Sequence, residues 1–294
     1  MVTTMTSCEY SCSSSGFVFD EGMKKDFLES GYIMIRNLLD EEEVGKIRTS
    51  LETSEDLQNN AFGVADENRK ASKLVIWKHP GNDVTGMLGR CEKVVSTCEK
   101  LLGGEVYHYH TKLMMKEPLT GGSFIWHQDY GYWYHNGFLT PDMMTVFIAV
   151  DKCIKENGCL EIIRGSHKCG RIEHKKVGGQ TGADIERVEL IKKNFPVEYV
   201  EMNPGDALFF HSNLLHASNA NNSDLRRWTL LSCYCKASND TVTPHCLPSY
   251  TPLRKVPDSA IRECTSLDCS GKEFMDPEKD INIKSTSEDK SKAS

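Results

Sequence analysis

The sequence predicts a mainly β domain, a barrel or double-sheet jelly roll, with helices on its flanks. Three observations predict it. From Glu105 to Ser238, short alternating or apolar runs follow one another, broken by Gly, Pro and Asn. Many short strands joined by turns produce that pattern. Clear helical periodicity lies mostly before them. The chain has 294 residues, enough for one large β-rich core.

Residues 1–15 are rich in Ser, Thr and Cys, have little to bury, and are expected to be disordered. From Phe17 a helical pattern sets Met23, Phe27 and Leu28 on one side, and Gly31 ends it. Residues 32–35 read as a first strand. Asp40 followed by Glu43 resembles a capping box with an acid at the cap. Val44, Ile47 and Leu51 form the apolar stripe of the helix behind it. Residues 52–70 are polar and read as a loop, 74–77 as a strand. Residues 84–101 read as one helix through Met87, Val94, Val95 and Leu101, stopped by Gly103 and Gly104.

Strands are then expected over 106–115, 124–129, 144–150, 160–163, 197–202, 207–210 and 228–234. Residues 170–195 interrupt them with Gly178, Gly179 and Gly182, then a helical stretch over 188–191. This piece can lie as a loop over a site. Residues 257–294 are charged and polar without apolar period, and are expected to form a disordered tail. The folded domain is thus placed at 16–256.

Composition excludes several classes. The net charge is −7, and Lys and Arg do not cluster, so a general nucleic-acid or anionic-membrane binder is not expected. No apolar stretch approaches transmembrane length. Met1–Met5 lack the basic start and apolar run of a secretory signal. The twelve cysteines are scattered, with no CxxC pair at zinc spacing. The expectation is a cytoplasmic protein with free thiols.

The chemistry centres on the run from Trp126 to Tyr130. His127 and Asp129 are two apart, so on a strand both side chains leave the same face. One more histidine would complete the two-His, one-carboxylate set that leaves positions open on Fe(II). His211 and His216 compete for that place. They are an odd number apart, so a continuous strand would put them on opposite faces. Ser218 shares the face of His216. Arg226 and Arg227 open the last strand, and an arginine buried there needs an anion. A carboxylate-bearing cosubstrate would satisfy it bidentately.

Together these pieces resemble the phytanoyl-CoA dioxygenase family of Fe(II)/2-oxoglutarate-dependent oxygenases, over roughly residues 25–238. The resemblance is carried by the run from Phe27 to Tyr32, His110-Thr111-Lys112-Leu113, and Trp126-His127-Gln128-Asp129. It continues through Glu156-Asn157-Gly158-Cys159-Leu160, Gly165-Ser166-His167-Lys168 and Pro204-Gly205-Asp206. It closes with His216-Ala217-Ser218, Asn221 and Arg227.

The resemblance implies a double-stranded β-helix (a cupin-like jelly roll) with iron at its open end. It implies His127, Asp129 and His216 as metal ligands and catalytic centre, with Ser218 and Arg227 on the far carboxylate of 2-oxoglutarate. It places Gln128, Lys112 and Phe147 in the cosubstrate pocket, although Lys112 and Phe147 depart from the family's usual residue types. The implied reaction oxidises, and most simply hydroxylates, a small organic substrate with O2, converting 2-oxoglutarate to succinate and CO2. Ascorbate is the expected reductant in vitro. Asp129 speaks against halogenation, where a small residue stands at that position.

Alternatives stay open at this level. Desaturation, epoxidation or ring formation would use the same residues, and a non-catalytic cupin-like binder would leave Arg227 unexplained. A packed or capping role is favoured for His211, a turn role for His167, and a core role for Met114 and Met115. His108 and His110, alternating with Lys112, either line the cavity or form a polar face. Tyr130, Tyr132, Trp133 and Tyr134 are core residues or a substrate wall, and the wall is the reading adopted. Oligomeric state is not legible.

Overall fold

The computed structural model describes residues 8–13, 16–177 and 179–279. Strand β1 (Glu9–Ser11) precedes helix α1 (Glu21–Ser30). Gly31 ends α1 at φ 85°, in the left-handed region that favours glycine. Strand β2 (Tyr32–Arg36) leads to α2 (Glu41–Thr53), which opens with the expected capping box between Asp40 and Glu43. There follow α3 (Glu55–Asn59), β3 (Phe62–Ala65), β4 (Ala71–Trp77), α4 (Val84–Leu88) and α5 (Glu92–Leu102). The β-rich part holds β5 (Val106–Lys116), β6 (Phe124–His127), the short helix α6 (Asp129–Trp133), β7 (Met143–Ala149) and β8 (Leu160–Ile163). It continues with β9 (His174–Val177), β10 (Gln180–Ala183), α7 (Ile185–Lys192), β11 (Val197–Val200), β12 (Ala207–His211), β13 (His216–Ser218) and β14 (Arg227–Lys236). Helix α8 (Ala260–Glu263) lies near the end.

Two sheets face each other as a double-stranded β-helix. The large one runs β1-β2-β12-β7-β14-β5-β4-β3, the small one β11-β8-β13-β6, and β9 and β10 form a separate hairpin. Strand period assigns the residues to layers. Ile33, Ile35, Val146, Ile148, Phe209, Trp228 and Leu230 pack outward against α1, α2 and α5. Met34, Phe147, Leu208, Phe210 and Leu231 point inward to Leu160 and Ile162 of the small sheet. Each fully buried side chain of this size contributes roughly 1.5–3 kcal/mol. The site lies between the sheets, so its walls are the inward residues.

Several expectations are corrected. Leu28 is 58% exposed, because α1 starts at Glu21 and only Met23 and Phe27 face the sheet. Residues 52–70 are not all loop, since α3 and β3 form there with Leu57 buried. The helix expected over 84–101 is two helices, broken between Gly89 and Cys91. The disordered ends at 1–15 and 257–294 are wrong where the chain is described. Residues 9–11 pair in parallel with β2, and Cys8 is buried. Residues 257–279 carry buried Ile261, Cys269 and Met275 into the core. Short strands that add to a sheet edge through backbone bonds leave little side-chain pattern to read. Residues 1–7, 14–15 and 280–294 lie outside the described residues. Among the described residues no helix is long and apolar enough to cross a membrane.

Candidate active site

His127 and His216 are directly opposed across β6 and β13, with ring centroids 4.1 Å apart. Strand β6 ends at His127. Gln128 continues extended, at φ −117° and ψ 137°, and Asp129 is the first residue of α6. Its carboxylate therefore stays on the side of His127, although the strand expected over 124–129 is shorter. One ligand atom from each of His127, Asp129 and His216 lies within 4.8 Å of the others. His211 is elsewhere. The chain leaves β12 at His211 and turns before β13, so the two histidines do not share one strand. His211 accepts from Asn213 N–H at 3.0 Å and packs 6.1 Å from the Phe27 ring.

The donor set suits a divalent metal. His127 Nδ1–H donates to the carbonyl of Ile125 at 2.7 Å, and His216 Nδ1–H to that of Leu214 at 3.0 Å. A carbonyl can only accept, so both imidazoles present a free Nε2 lone pair to the centre. Burial lowers the pKa of each, further lowered for His127 by His216, so both stay neutral and ready to ligate. Burial alone would raise the Asp129 carboxyl, but the Lys112 ammonium leads the opposing effects and holds it below its ordinary range. Lys112 Nζ stands 3.8 Å from Oδ1, and Thr145 Oγ donates to Oδ2 at 2.6 Å. Two neutral imidazoles and one fixed carboxylate on one face match the open iron site.

A cavity of about 390 Å³ opens beside this group. Lys112, Phe147 and Ser218 line it. Gln128 does not. It is fully buried, its amide N–H groups donate to the carbonyls of Gly170 and Asn213, and its oxygen accepts from Ile172 N–H at 2.7 Å. The residue between two ligands on an extended stretch points to the opposite side, so Gln128 braces the loop instead of touching the cavity.

Arg227 is fully buried, with NH2 donating to Gly158 O at 2.9 Å and NH1 to Thr229 Oγ at 3.1 Å. Its Nε has no partner, and no carboxylate pairs with it among the described residues. Arg226 faces the other way and is held by Asp151 and Glu52. Lys116, directly opposite Arg227 in register, is also fully buried. Its Nζ donates to Ser218 Oγ at 2.8 Å and to the carbonyl of Asn219. Burial, then the nearby Arg227, lowers its pKa well below the ordinary lysine value. Sequence reasoning passes over Lys116. Its signal was strand parity, since it lies four residues from Lys112 and shares its face.

A one-residue bulge separates His108 from His110: Cys233 pairs with His110, but Tyr234 with His108. His110 lines the cavity, whereas His108 turns to Thr111, 2.7 Å away, on the outward face. The expected alternation on one face is therefore lost. The aromatic cluster divides too. Tyr132 and Trp133 line the cavity, Tyr130 is buried with its hydroxyl on Phe138 O, and Tyr134 is exposed under Arg171. Met114 and Met115 are both core residues, as read, and Met114 also lines the cavity. His167 donates to Leu28 O, a structural role.

Residues 170–195 supply the hairpin β9–β10, and Gln180 and Thr181 close one side of the cavity. Tyr132 donates to Thr181 O at 2.5 Å. His174, which sequence reasoning also missed, accepts from Gln128 N–H at 3.0 Å and so grips the metal loop from behind.

The comparisons agree with this geometry. The family model for phytanoyl-CoA dioxygenase matches residues 27–228. L-proline trans-4-hydroxylase of Streptomyces griseoviridis is 30% identical, covering 73% of this chain and 85% of its own. A probable alpha-ketoglutarate-dependent hypophosphite dioxygenase of Stutzerimonas stutzeri is 29% identical, covering 73% and 78%. The solved structure of EctD from S. alaskensis with 2-oxoglutarate and 5-hydroxyectoine has a TM-score of 0.69 at 19% identity, covering 86% and 93%, and shares the fold. The chain belongs to the phytanoyl-CoA dioxygenase family of iron- and 2-oxoglutarate-dependent dioxygenases.

Proposed function

We propose that this chain hydroxylates a small organic substrate with Fe(II), 2-oxoglutarate and O2. One observation carries the reading: His127, Asp129 and His216 come together on the wall of one cavity, and the carboxylate-free Arg227 is buried on β14, the strand whose Leu231 lines that cavity. His127, Asp129 and His216 would hold the metal. Iron bound there supplies the oxidation in which 2-oxoglutarate loses CO2 and becomes succinate while a substrate C–H gains hydroxyl.

The protein's own groups do the positioning. Thr145 and Lys112 orient the Asp129 carboxylate. Arg227 receives the far carboxylate of 2-oxoglutarate, with Ser218 oriented toward it by Lys116. Such a bond to a charged group is worth roughly 1.5–3 kcal/mol. Phe147, Phe210 and Leu231 exclude water beside it. A cytoplasmic setting belongs to the same reading, since ten of the twelve cysteines, the buried Cys91, Cys98, Cys153 and Cys233 among them, are free thiols.

The test is succinate formation by purified protein with Fe(II), ascorbate and O2, with and without a library of small metabolites and acyl-CoAs. Formation that needs 2-oxoglutarate and rises with one compound supports the reading. No succinate with iron bound would contradict it.

A further inference from the structure

Three residues of the cavity wall come from beyond the family-matched stretch, which ends at residue 228: Leu231 on β14, and Leu247 and Met275 from the segments after it. Met275 sits on a segment that runs along the outer edge of β4. Lys78 N–H donates to Glu273 O at 2.9 Å, Met275 N–H to Ile76 O at 2.8 Å, and Trp77 bridges Phe274. Lys272 fastens this segment. Its buried Nζ lies 2.7 Å from Asp83 Oδ2 and donates to Pro80 O at 2.6 Å. Asp83 in turn caps α4. The position of Met275 is therefore set by backbone bonds and a buried ion pair. Leu247 and Met275 are 7% and 4% exposed and share one apolar cluster with Trp133, against which Ile76 and Tyr132 pack.

The cavity is small and poor in cations. Its roughly 390 Å³ lies near the lower end of ligand cavities, about 300–1,000 Å³, and 2-oxoglutarate has to share it. Lys112 is the one lysine or arginine among the described lining residues. The phosphates of an acyl-CoA would find no arginine fork there.

We propose that the substrate is a compact organic acid with an apolar body, enclosed whole, and that Leu247 and Met275 set the size of that body. This rests on the oxygenase reading above. The acid group answers Lys112, and the body lies against Ile76, Leu247 and Met275. Methionine fits this wall because its unbranched side chain fills irregular space.

The test measures binding of free alicyclic carboxylates, from cyclobutane- to cycloheptane-carboxylate, to Fe(II)-loaded protein without O2, by thermal stabilisation. Wild type is set beside Met275→Ala and Met275→Trp, with Leu247→Ala as the second variant should the tryptophan not fold. A methylene in an apolar pocket is worth about 10- to 200-fold. The preferred ring should grow by one or two methylenes in Met275→Ala, with at least about a tenfold relative gain for the larger ring, and shrink in Met275→Trp. The same ranking in every protein, or no ring acid binding any of them, overturns the proposal. 2-Oxoglutarate binding is measured separately. If it fails while the ring ranking still shifts, the oxygenase reading falls and the assignment of the cavity wall stands.

Discussion

Arg227 and Lys116 stand directly opposite each other in the antiparallel pairing of β14 with β5, both fully buried and neither paired with a carboxylate among the described residues. A buried guanidinium without a counter-ion is costly unless an anion joins it. Arg227→Ala should therefore raise the apparent KM for 2-oxoglutarate about 10- to 100-fold, with iron still bound. Arg226→Ala, which loses the partly exposed pairs with Asp151 and Glu52 and the contact with the Trp228 ring, should change it little. Steady-state kinetics against 2-oxoglutarate checks both. Equal effects of the two changes would remove the assignment of the anchor.

The histidines make a second contrast. His216→Ala removes one of three ligands and should abolish stoichiometric iron binding. His211→Ala leaves the centre intact and should retain it. Metal analysis after desalting decides, and the opposite pattern would reverse the choice of ligand.

Thr145 reaches no cavity surface, yet its hydroxyl fixes Asp129 Oδ2. Thr145→Val should weaken iron binding about 10- to 100-fold, the usual scale for a group that orients a ligand. Competition against a chelator measures this. Unchanged affinity would show that packing alone holds Asp129.

Gly131 is a packing constraint. A Cβ there would sit 2.1 Å from the His174 ring, and that ring grips the backbone of Gln128. Gly131→Ala should cost about 1–3 kcal/mol and loosen the metal loop. Thermal unfolding of the metal-free protein reads the cost. An unchanged melting temperature would mean that the hairpin moves aside freely.

Acid should destabilise the metal-free fold. Burial lowers His108 to about 3, with Lys272 adding to it, and lowers His211 to about 4, with His167 adding to it. Both are below the unfolded value of about 6.5. The unfolded chain then binds more protons between pH 6.5 and about 4, so stability falls as pH falls through that window and is unaffected above it. Each group contributes on the order of 1–2 kcal/mol at pH 5. Melting temperatures at pH 7, 6 and 5 should decline in that order, and less steeply in His211→Gln. A flat profile would mean that these rings are hydrated in the fold.

Much of this site is legible in the sequence, and what is not has particular causes. Strand parity sets His127 beside Asp129 and Ser218 beside His216, the family resemblance supplies their roles, and the large sheet follows from its alternating runs. The choice of His216 over His211 came from the family resemblance. In the structure it rests on the break between β12 and β13, which parity alone does not reveal. The bulge that turns His108 outward adds one residue to a strand without marking it in composition. The family resemblance puts Gln128 in the cavity, whereas an extended residue between two ligands faces away from them. The segments around Cys8 and Met275 were read as disordered because a few apolar residues suffice when backbone pairing to a sheet edge does the rest.

The measurement that tests the central claim most directly is turnover under isotopically labelled O2, with succinate analysed by mass spectrometry. Wild type and His216→Ala are compared at equal protein concentration. The predicted result is succinate carrying one labelled oxygen from wild type, in proportion to the 2-oxoglutarate consumed, and none from His216→Ala. Iron-loaded wild type that consumes no 2-oxoglutarate, or a His216→Ala variant that forms labelled succinate as well as wild type does, would contradict the account.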